Sequence, residues 1–470
     1  MSELAILPIL PALGGLLWGL ALLGGLLLSL LHPRGWRMWG AFLRSQWRGL
    51  AVLTIVGLMA YLGWSSWRRL PEATTSSPVS LRLDGWPMFQ QSPQRIGGDG
   101  APGPIRGGVN WTSRVDYEFL GAPAVSERSV VAIGHRRGVS RIFIWDIDTG
   151  REVWSGAPDN YRITGASPVL SDGRIFCGEG VHDTRDARIC CLDPSRSPSP
   201  CVWELATNSH IEGTPILSGG RVYLAAGDDG VYCLSSSVTR PAAGGASETT
   251  TLQPQIVWHV PGAALPDAET ALLVHAGRVF VGLGFEKQGL VALDAESGAE
   301  LQRVDLPLPM FAPPALFAGG LLCGLGPGTL VNAPTAGSGE ARLIDLENLE
   351  TRWTIPLSAS MVQSAAVAGD VACIVSADGH VLTVDPHGVP LANWRSASPI
   401  QAAPALSGVH VYVVSADGLL TGLSLADLTP VWQTRLGDPG RYLGSPVVCR
   451  GRVLIGTPHG FMSVGQPPEH

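Results

Sequence analysis

The stretch that decides the fold is IQAAPALSGVHVYVVSADGLLTGLSLADLTPVW, residues 400–432. Short apolar runs alternate in it with Gly-containing turns at Ser407-Gly408 and Asp417-Gly418, and Trp432 closes it. Runs of about five residues, separated by turns that tolerate positive φ, are typical of antiparallel strands joined by hairpins. The stretch therefore predicts one four-stranded antiparallel sheet, and such a sheet cannot bury both of its faces alone.

The same unit recurs along most of the chain, and a period of about 40 to 50 residues is typical of propellers and solenoids. Its opening strand can be aligned at eight places, on Pro123, Pro168, Pro215, Leu272, Pro314, Ala366, Pro404 and Pro446. An aspartate follows the third strand at Asp146, Asp193, Asp294, Asp345 and Asp385, and a tryptophan closes the fourth at Trp154, Trp203, Trp258, Trp353, Trp394 and Trp432. The fourth copy is interpreted as having Leu301 in place of this tryptophan. A motif repeated in this way favours a ring of sheets over an immunoglobulin-like sandwich.

Two phrases, Asp148-Thr-Gly-Arg-Glu-Val-Trp154 and Leu293-Asp-Ala-Glu-Ser-Gly298, carry a resemblance to a known repeat. They resemble the quinoprotein-type, or PQQ-like, β-propeller repeat, over roughly residues 85–466. The resemblance implies an all-β fold, an eight-bladed β-propeller of four-stranded antiparallel blades. The family includes PQQ-dependent enzymes and also propellers without a cofactor, such as the lipoprotein of the outer-membrane β-barrel assembly machinery. The fold is therefore implied, and the activity is not.

The order of the strands predicts how the ring closes. The last unit, Gly444 to Gly465, has three strands and no closing tryptophan, whereas Asn110–Val115 has the pattern of a fourth strand and contains Trp111. Joining the two completes an eighth blade and leaves no long sheet edge exposed. We therefore expect residues 86–470 to form one propeller closed by the strand around Trp111. Residues 71–85, rich in Pro, Ser and Thr, are predicted to be a linker.

Residues 1–70 are predicted to form an N-terminal transmembrane helical hairpin. Residues 4–31 form an uncharged run of 28 residues and residues 49–67 a second of 19, against the roughly 20 that cross a bilayer. The loop between them has no acid and contains Arg34, Arg37, Arg44, Arg48, Trp36, Trp39 and Trp47. Basic residues in short loops stay in the cytoplasm, so we expect the propeller on the periplasmic side of a bacterial cytoplasmic membrane. If the shorter run were a surface or core helix, the propeller would lie in the cytosol.

Charge and cysteine spacing exclude other classes. A formal net charge of -7 lacks the basic surface of a nucleic-acid binder. The eight cysteines show no CxxC or Cys/His spacing typical of a metal site. The adjacent Cys190-Cys191 is similar to the bridged pair of quinoprotein alcohol dehydrogenases, but it falls in an ordinary third strand, so a structural role is favoured. Bonding of either thiol to Cys177 or Cys201 stays open.

The loops that lead into the innermost strands should surround the central axis, where propellers usually bind ligands. The alignment places eight residues there: Leu120, Gly165, Glu212, Glu269, Phe311, Gln363, Gln401 and Leu443. Of these, the candidate contact residues are Glu212, Glu269, Gln363 and Gln401. Acids and histidines at hairpin tips are interpreted as turn formers, because Asp-Gly is preferred turn chemistry; they include His182, Asp228, Asp229, Asp378, Asp417 and His459. No catalytic, cofactor-binding or metal-binding residue is predicted.

Two functions are compatible with the sequence: binding of an envelope partner without catalysis, and PQQ-dependent dehydrogenation. PQQ carries three carboxylates, so its site should offer several arginines, a cation held by Glu, Asn and Asp, and a catalytic Asp. Only Arg162 and Arg441 lie near the predicted mouth. We therefore expect a non-catalytic propeller, held in the lipid bilayer by two helices, that binds an envelope protein or ligand without a cofactor. The alternative is a PQQ-dependent dehydrogenase that uses PQQ with Ca²⁺.

Overall fold

The computed structural model describes residues 74–75, 87–92, 94–95, 97, 103–182, 184–196, 199–237, 252–329 and 336–465, together with Met59. The chain divides into two compact units, Met1–Glu72 and Ala73–His470. The predicted membrane hairpin and most of the linker fall outside the described residues, so the hairpin stays a prediction. Within the part of the chain that is described, no helix has the length and apolar character needed to cross a membrane.

The described chain forms eight antiparallel sheets, and within each blade the strands that follow one another in sequence are neighbours, except that the outer strand of blade 8 comes from the start of the propeller. From the inner to the outer strand, blade 1 contains Ala124–Val125, Ser129–Arg136, Val139–Asp146 and Glu152–Gly156; blade 2, Val169–Ser171, Arg174–Gly178, Arg188–Leu192 and Cys201–Ala206; blade 3, Ile216–Ser218, Arg221–Ala225, Val231–Ser235 and Ile256–Val260; blade 4, Leu273–His275, Arg278–Leu283, Gly289–Asp294 and Glu300–Asp305. Blade 5 contains Ala315–Phe317, Gly320–Leu325, Gly339–Asp345 and Thr351–Leu357; blade 6, Ala366–Ala368, Val371–Val375, His380–Val384 and Pro390–Arg395; blade 7, Ala405–Ser407, His410–Val414, Leu419–Ser424 and Pro430–Arg435; blade 8, Val447–Cys449, Arg452–Thr457, Gly460–Gly465 and Val109–Ser113. Two short strands extend blade 1: Glu118–Phe119 pairs with its second strand and Thr74–Thr75 with its outer strand. The predicted all-β, eight-bladed propeller is confirmed.

The eighth blade is assembled from the two ends of the propeller. Its outer strand, Val109–Ser113, pairs antiparallel with Gly460–Gly465. In this register Trp111 stands opposite Ser463, and its indole stacks on Phe461 with ring centroids 6.1 Å apart. The strand covers backbone groups that would otherwise form an exposed edge. A segment that precedes the first blade thus fastens the last blade into the ring.

The hydrophobic core lies between the blades. Successive side chains of a strand point to opposite faces, so each sheet contributes to a cluster on either side. The buried residues that are described form eight such clusters, one for every pair of neighbouring blades, including blades 8 and 1. Cys190 illustrates the rule by packing between blades 1 and 2, whereas Cys191 packs between blades 2 and 3. Each blade therefore depends on both neighbours for its burial.

Tryptophans of the outer strands connect neighbouring blades in a repeated way. Each of three indoles donates its N–H, at 2.9–3.1 Å, to a carbonyl in the next blade's hairpin between the third and fourth strands. The donor and acceptor pairs are Trp111 and Ile147, Trp258 and Ala295, and Trp353 and Pro386. Each indole also lies over a glycine of that hairpin, Gly150, Gly298 or Gly388, where an added Cβ would come within 2.5–2.7 Å of the ring. The three glycines have φ of 67–78°, a conformation that favours glycine.

Arginines at the start of the second strand reinforce the same boundaries. Three of them donate at 2.6–2.9 Å to a carbonyl in the next blade's hairpin: Arg221 to Ala295, Arg278 to Leu346, and Arg452 to Ile147. The carbonyls of Ala295 and Ile147 therefore accept from an arginine and a tryptophan together.

The register of the outer strands corrects the alignment in two blades. The tryptophan stands opposite the third-strand residue just before a β-bulge, as Trp353 does in blade 5. In blade 4 this place belongs to Gln302 and not to Leu301, and in blade 6 it belongs to Ala392 and not to Trp394. A bulge adds one residue to a strand and shifts its side-chain alternation. The bulge falls at the same place in these blades, and Gln302 follows Asp294 by eight residues, as Trp154 follows Asp146. In blade 6 the hairpin after Asp385 is one residue shorter, which puts Ala392 and not Trp394 in this position.

The described residues of the segment 87–107, namely 87–92, 94–95, 97 and 103–107, are here called the axial segment, and several of them contact the inner strands. Three of its carbonyls accept hydrogen bonds from backbone N–H groups of blades 2, 5 and 7, namely Leu170, Leu316 and Leu406. Its Arg95 is fully buried and donates to the carbonyls of Thr214 at 3.0 Å and Leu272 at 2.6 Å, where blades 3 and 4 begin. One short segment thus ties together the axial edges of five blades.

The closing strand can be separated from the axial segment by truncation. A chain that begins at residue 114 lacks Val109–Ser113, so we expect the unpaired edge of Gly460–Gly465 to cause self-association and rapid proteolysis. A matched chain that begins at residue 103 keeps the strand and should stay monomeric. Light scattering after size exclusion and limited proteolysis measure both. Identical monomers with identical melting curves would refute closure by this strand.

Candidate functional site

A narrow cavity, here called the axial cavity, lies where the innermost strands meet. Seven of the eight residues that the alignment places at the axis line it: Leu120, Gly165, Glu212, Glu269, Phe311, Gln363 and Leu443. Gln401 is partly exposed and is not among the lining residues. Phe89 of the axial segment also contributes to the wall. The volume is about 50 Å³, enough for a few water molecules.

A wider cavity of about 290 Å³, here called the histidine pocket, lies beside the axial cavity. Its lining comes from blades 2, 3 and 4: His182, Thr184, Arg185, Ser209, His210, Asp228, Asp267, Glu269, Phe285 and Glu286. His182 belongs to the connection between the second and third strands of blade 2, His210 to the loop from blade 2 to blade 3, and Glu269 to the next such loop. Glu269 lines both cavities, so the two share a wall.

Three potential ligand atoms converge in the histidine pocket. His182 Nδ1 lies 2.6 Å and His210 Nε2 lies 3.2 Å from the same atom, Oε1 of Glu269. The two imidazole ring centroids are 5.4 Å apart. The side chains of His210 and Glu269 are each only 4% exposed, whereas that of His182 is 41% exposed. The cluster is therefore buried on one side and open to solvent through His182.

Burial controls the charge of this cluster. Burial, and then the neighbouring Asp267 side chain, raise the pKa of Glu269 to about 9. Burial also lowers the pKa of His210. Both effects disfavour the charged form, so both groups are neutral at pH 7. Asp267 in turn accepts hydrogen bonds from the backbone N–H groups of Phe285 and Glu286, which holds that wall of the pocket in place.

One protein-family model matches part of the chain. This model, described as outer membrane protein assembly factor BamB, matches residues 140–240 and 286–389. The match supports the PQQ-like β-propeller type for the repeats in these residues. A search of curated proteins found no match to the chain.

Several solved structures share the fold of this PQQ-like propeller at low sequence identity. BamB from Moraxella catarrhalis is 15% identical with a TM-score of 0.56, covering 76% of this chain and 99% of its own. Quinohemoprotein alcohol dehydrogenase from Comamonas testosteroni is 12% identical with a TM-score of 0.60, covering 82% of each chain. The computationally designed Ika8 protein is 14% identical with a TM-score of 0.58, covering 77% and 100%. These similarities establish the fold and favour neither a binding protein nor a dehydrogenase.

The axial cavity of this PQQ-like propeller does not fit a tricarboxylate cofactor. None of the described residues that line it is arginine or lysine, and Glu212 and Glu269 add carboxyl groups instead. Arg162, which the sequence places near the mouth, forms an ion pair with the exposed Asp186, and Arg441 is exposed. Burying carboxylates without positive partners is heavily penalised. The volume of about 50 Å³ is also far below the roughly 300–1,000 Å³ of typical small-molecule sites.

The cysteines also depart from the dehydrogenase pattern. The described residues include all eight cysteines, and no disulfide joins them. Cys190 and Cys191 face opposite sides of their sheet, each in a different hydrophobic cluster. Cys190 is the register partner of Cys177 across the strand pair, and burial raises the pKa of the Cys177 thiol to about 12. The adjacent pair therefore has the structural role that its position in an ordinary strand predicts.

The repeat pattern places Glu269 at the axis and does not mark its two histidine neighbours. His182 stands at a hairpin tip, where a turn-forming role is expected, and the pattern gives His210 no role. The repeat contained a usable signal, because His210 and Asp267 each stand two residues before an axial position, Glu212 and Glu269, in successive blades. The alignment could therefore have placed these side chains near one another. It could not have placed His182, whose loop has no counterpart of the same length in the other repeats.

Other hairpin-tip acids have the structural roles expected of them. Asp378 accepts hydrogen bonds from Ser358, Ser376 and Arg395, and Asp417 accepts one from Ser415. Their side chains stabilise the turns and the loops beside them.

The raised pKa of Glu269 predicts that the free energy of unfolding depends on pH. Its folded pKa lies above its ordinary value, so this contribution to stability is fully present below about pH 4.3 and is lost as the pH rises through about 9. With chelator present, we expect wild type to lose stability relative to Glu269→Gln between pH 6.5 and 8, by up to about 1.4 kcal/mol per pH unit. Urea unfolding of both proteins measures the difference. Parallel curves for the two proteins would contradict the raised pKa.

Proposed function

We propose that the protein is a non-catalytic propeller whose axial mouth binds an envelope protein or ligand. The observation that carries this proposal is the axial cavity, which is too small for a tricyclic quinone and presents carboxyl groups where arginines would be required. The match to the BamB-type family model supports a protein partner. The quinoprotein dehydrogenases among the similar folds define the alternative, a PQQ-dependent oxidoreductase.

The rim of the mouth offers a mixed polar surface for recognition. Gln363 and Gln401 are partly exposed amides from blades 6 and 7, and Glu212 is a partly exposed acid from blade 3. Amides both donate and accept hydrogen bonds, so they can pair with the backbone or polar side chains of a peptide. Such contacts at a rim give orientation and specificity without a deep pocket.

Site-specific photo-crosslinking in cells tests the binding surface. A crosslinking residue placed at Gln363 or Gln401 should capture a discrete partner. The matched control is Asn348, an exposed residue in the hairpin at the opposite end of blade 5, which should capture none. Equal capture at all three positions, or capture at Asn348 alone, would place the binding surface elsewhere.

Titration of the purified protein with PQQ and Ca²⁺ separates the two functions. We expect no saturable uptake and no dye reduction with an alcohol substrate, because the axial cavity lacks basic residues and volume. Stoichiometric uptake together with dye reduction would establish the dehydrogenase instead.

We further propose that residues 4–31 and 49–67 hold the protein in a bacterial cytoplasmic membrane, with the propeller outside the cytoplasm. The proposal is supported by the two uncharged runs and by the four arginines between them. If the second run does not cross, the propeller lies on the other side.

Cysteine labelling determines this topology. All eight native cysteines are buried, so a single introduced thiol gives a clean signal with an impermeant maleimide. Ser77→Cys should label in cells with a permeabilised outer membrane, and Ser45→Cys, in the arginine-rich loop, should label only after lysis. The reverse result for Ser77→Cys would put the propeller in the cytoplasm.

A further inference from the structure

The histidine pocket contains three atoms that could bind a metal ion and that face one another. His182 Nδ1 and His210 Nε2 both point to Oε1 of Glu269, at 2.6 and 3.2 Å. We propose that His182, His210 and Glu269 bind a divalent transition-metal ion of the class that prefers imidazole, with Zn²⁺ as its representative. This inference goes beyond the proposed function, because it assigns a ligand to a second cavity beside the axial mouth.

The spacing fits a shared ion. Zinc bonds to histidine nitrogen and carboxylate oxygen are about 2.0–2.2 Å long, so ligand atoms around one ion lie roughly 3–3.5 Å apart. All three candidate atoms lie within 4.8 Å of one another. Reaching the spacing around one ion requires His182 to move by roughly 1 Å, and its side chain, 41% exposed, lies at the solvent-accessible side of the cluster.

The site is built from buried groups. His210 is 3% exposed, and its Nε2 meets no hydrogen-bond donor among the described residues apart from the Glu269 carboxyl when that group is protonated. Glu269 is 8% exposed, and its Oε2 has no partner among the described residues apart from the neighbouring Asp267 carboxyl. Buried polar atoms without partners are rare in folded proteins and are explained by an ion or a functional role. The unsatisfied atoms of both residues lie in the same cavity wall.

Ser209 is placed to orient the imidazole of His210. Its Oγ lies 3.2 Å from Nδ1 of that ring. If Nδ1–H donates to this hydroxyl, the lone pair of Nε2 is directed at Glu269. Metal-binding histidines use the other ring nitrogen in this way, and the partner fixes both tautomer and ring orientation.

The donor set selects the kind of ion. Two imidazoles and one carboxylate suit zinc, cobalt or nickel, whereas Ca²⁺ and Mg²⁺ require oxygen ligands throughout. Three protein ligands leave at least one coordination position open, as in sites that bind a water or a further ligand. His182, His210 and Glu269 all line the cavity of about 290 Å³, which has room for a small molecule or a partner's side chain beside such an ion.

The test is a Co²⁺ titration of the full-length chain, purified with its affinity tag removed and its metals stripped by chelator. Visible absorption of bound Co²⁺ should saturate at one ion per chain, and Zn²⁺ should displace it. His182→Ala and Glu269→Gln should each weaken binding by at least about tenfold, and Ser209→Ala by about tenfold. His387→Ala is the matched control, because this exposed histidine lies in a hairpin of blade 6 and its loss should leave the affinity unchanged.

Two further measurements keep the outcome decisive. Circular dichroism establishes that each variant is folded, and His182→Ala carries little risk because its side chain is partly exposed. Addition of Zn²⁺ should raise the melting temperature of wild type and of His387→Ala, and not that of Glu269→Gln. The proposal is overturned by the absence of saturable uptake in wild type, by uptake that His182→Ala and Glu269→Gln retain, or by equal affinity for Ca²⁺.

Discussion

A tryptophan indole of one blade packs over a glycine in the hairpin of the next and donates its N–H to a carbonyl of the same hairpin. A hydrogen bond of this kind adds only about 0.5–1.5 kcal/mol to stability. An aromatic side chain buries roughly 150–250 Å², so the packing contributes more. At the boundary where the ring closes, Trp111 and Arg452 both donate to the carbonyl of Ile147. The boundary that joins the two ends of the propeller is therefore doubly linked.

This contact explains why the repeat is visible in the sequence. The aspartate of the motif accepts hydrogen bonds from the backbone N–H groups of the turn, as Asp146 does from Thr149 and Asp294 does from Ser297. The turn then presents a left-handed glycine and a carbonyl to the tryptophan of the preceding blade. Asp, Gly and Trp are thus parts of one interaction between neighbouring copies. The sequence could predict the blade number and the closing strand because the same physical requirement recurs at each boundary.

Two other features, the outer-strand positions without tryptophan and the histidine pocket, could not be predicted because they are not part of the repeated motif. Gln302 and Ala392 occupy the tryptophan position without an indole, so a search for the tryptophan itself does not find them. Seven of the eight axial positions line the axial cavity, because every blade brings a loop to the axis, and Gln401 is the one of the eight that is not in the lining. The histidine pocket combines side chains from three separate segments, and only Glu269 occupies a repeat position. Sites of this kind arise from differences between copies, whereas the alignment detects what the copies share.

The packing of blades 3 and 4 positions the side chains of the histidine pocket. Arg95 is fully buried, and its hydrogen bonds to Thr214 and Leu272 fix the start of blades 3 and 4, close to the loops that contain His210 and Glu269. On mobile loops, an imidazole lone pair and a carboxylate would move apart, because both are acceptors. Here they lie 3.2 Å apart, and each side chain is only 4% exposed. Such a pair requires a positive charge or a proton between its members, and burial already favours the protonated form of Glu269. A metal ion would supply the same neutralisation with three bonds in place of one, so the feature that makes the apo pocket costly is also the feature that prepares it to bind a cation.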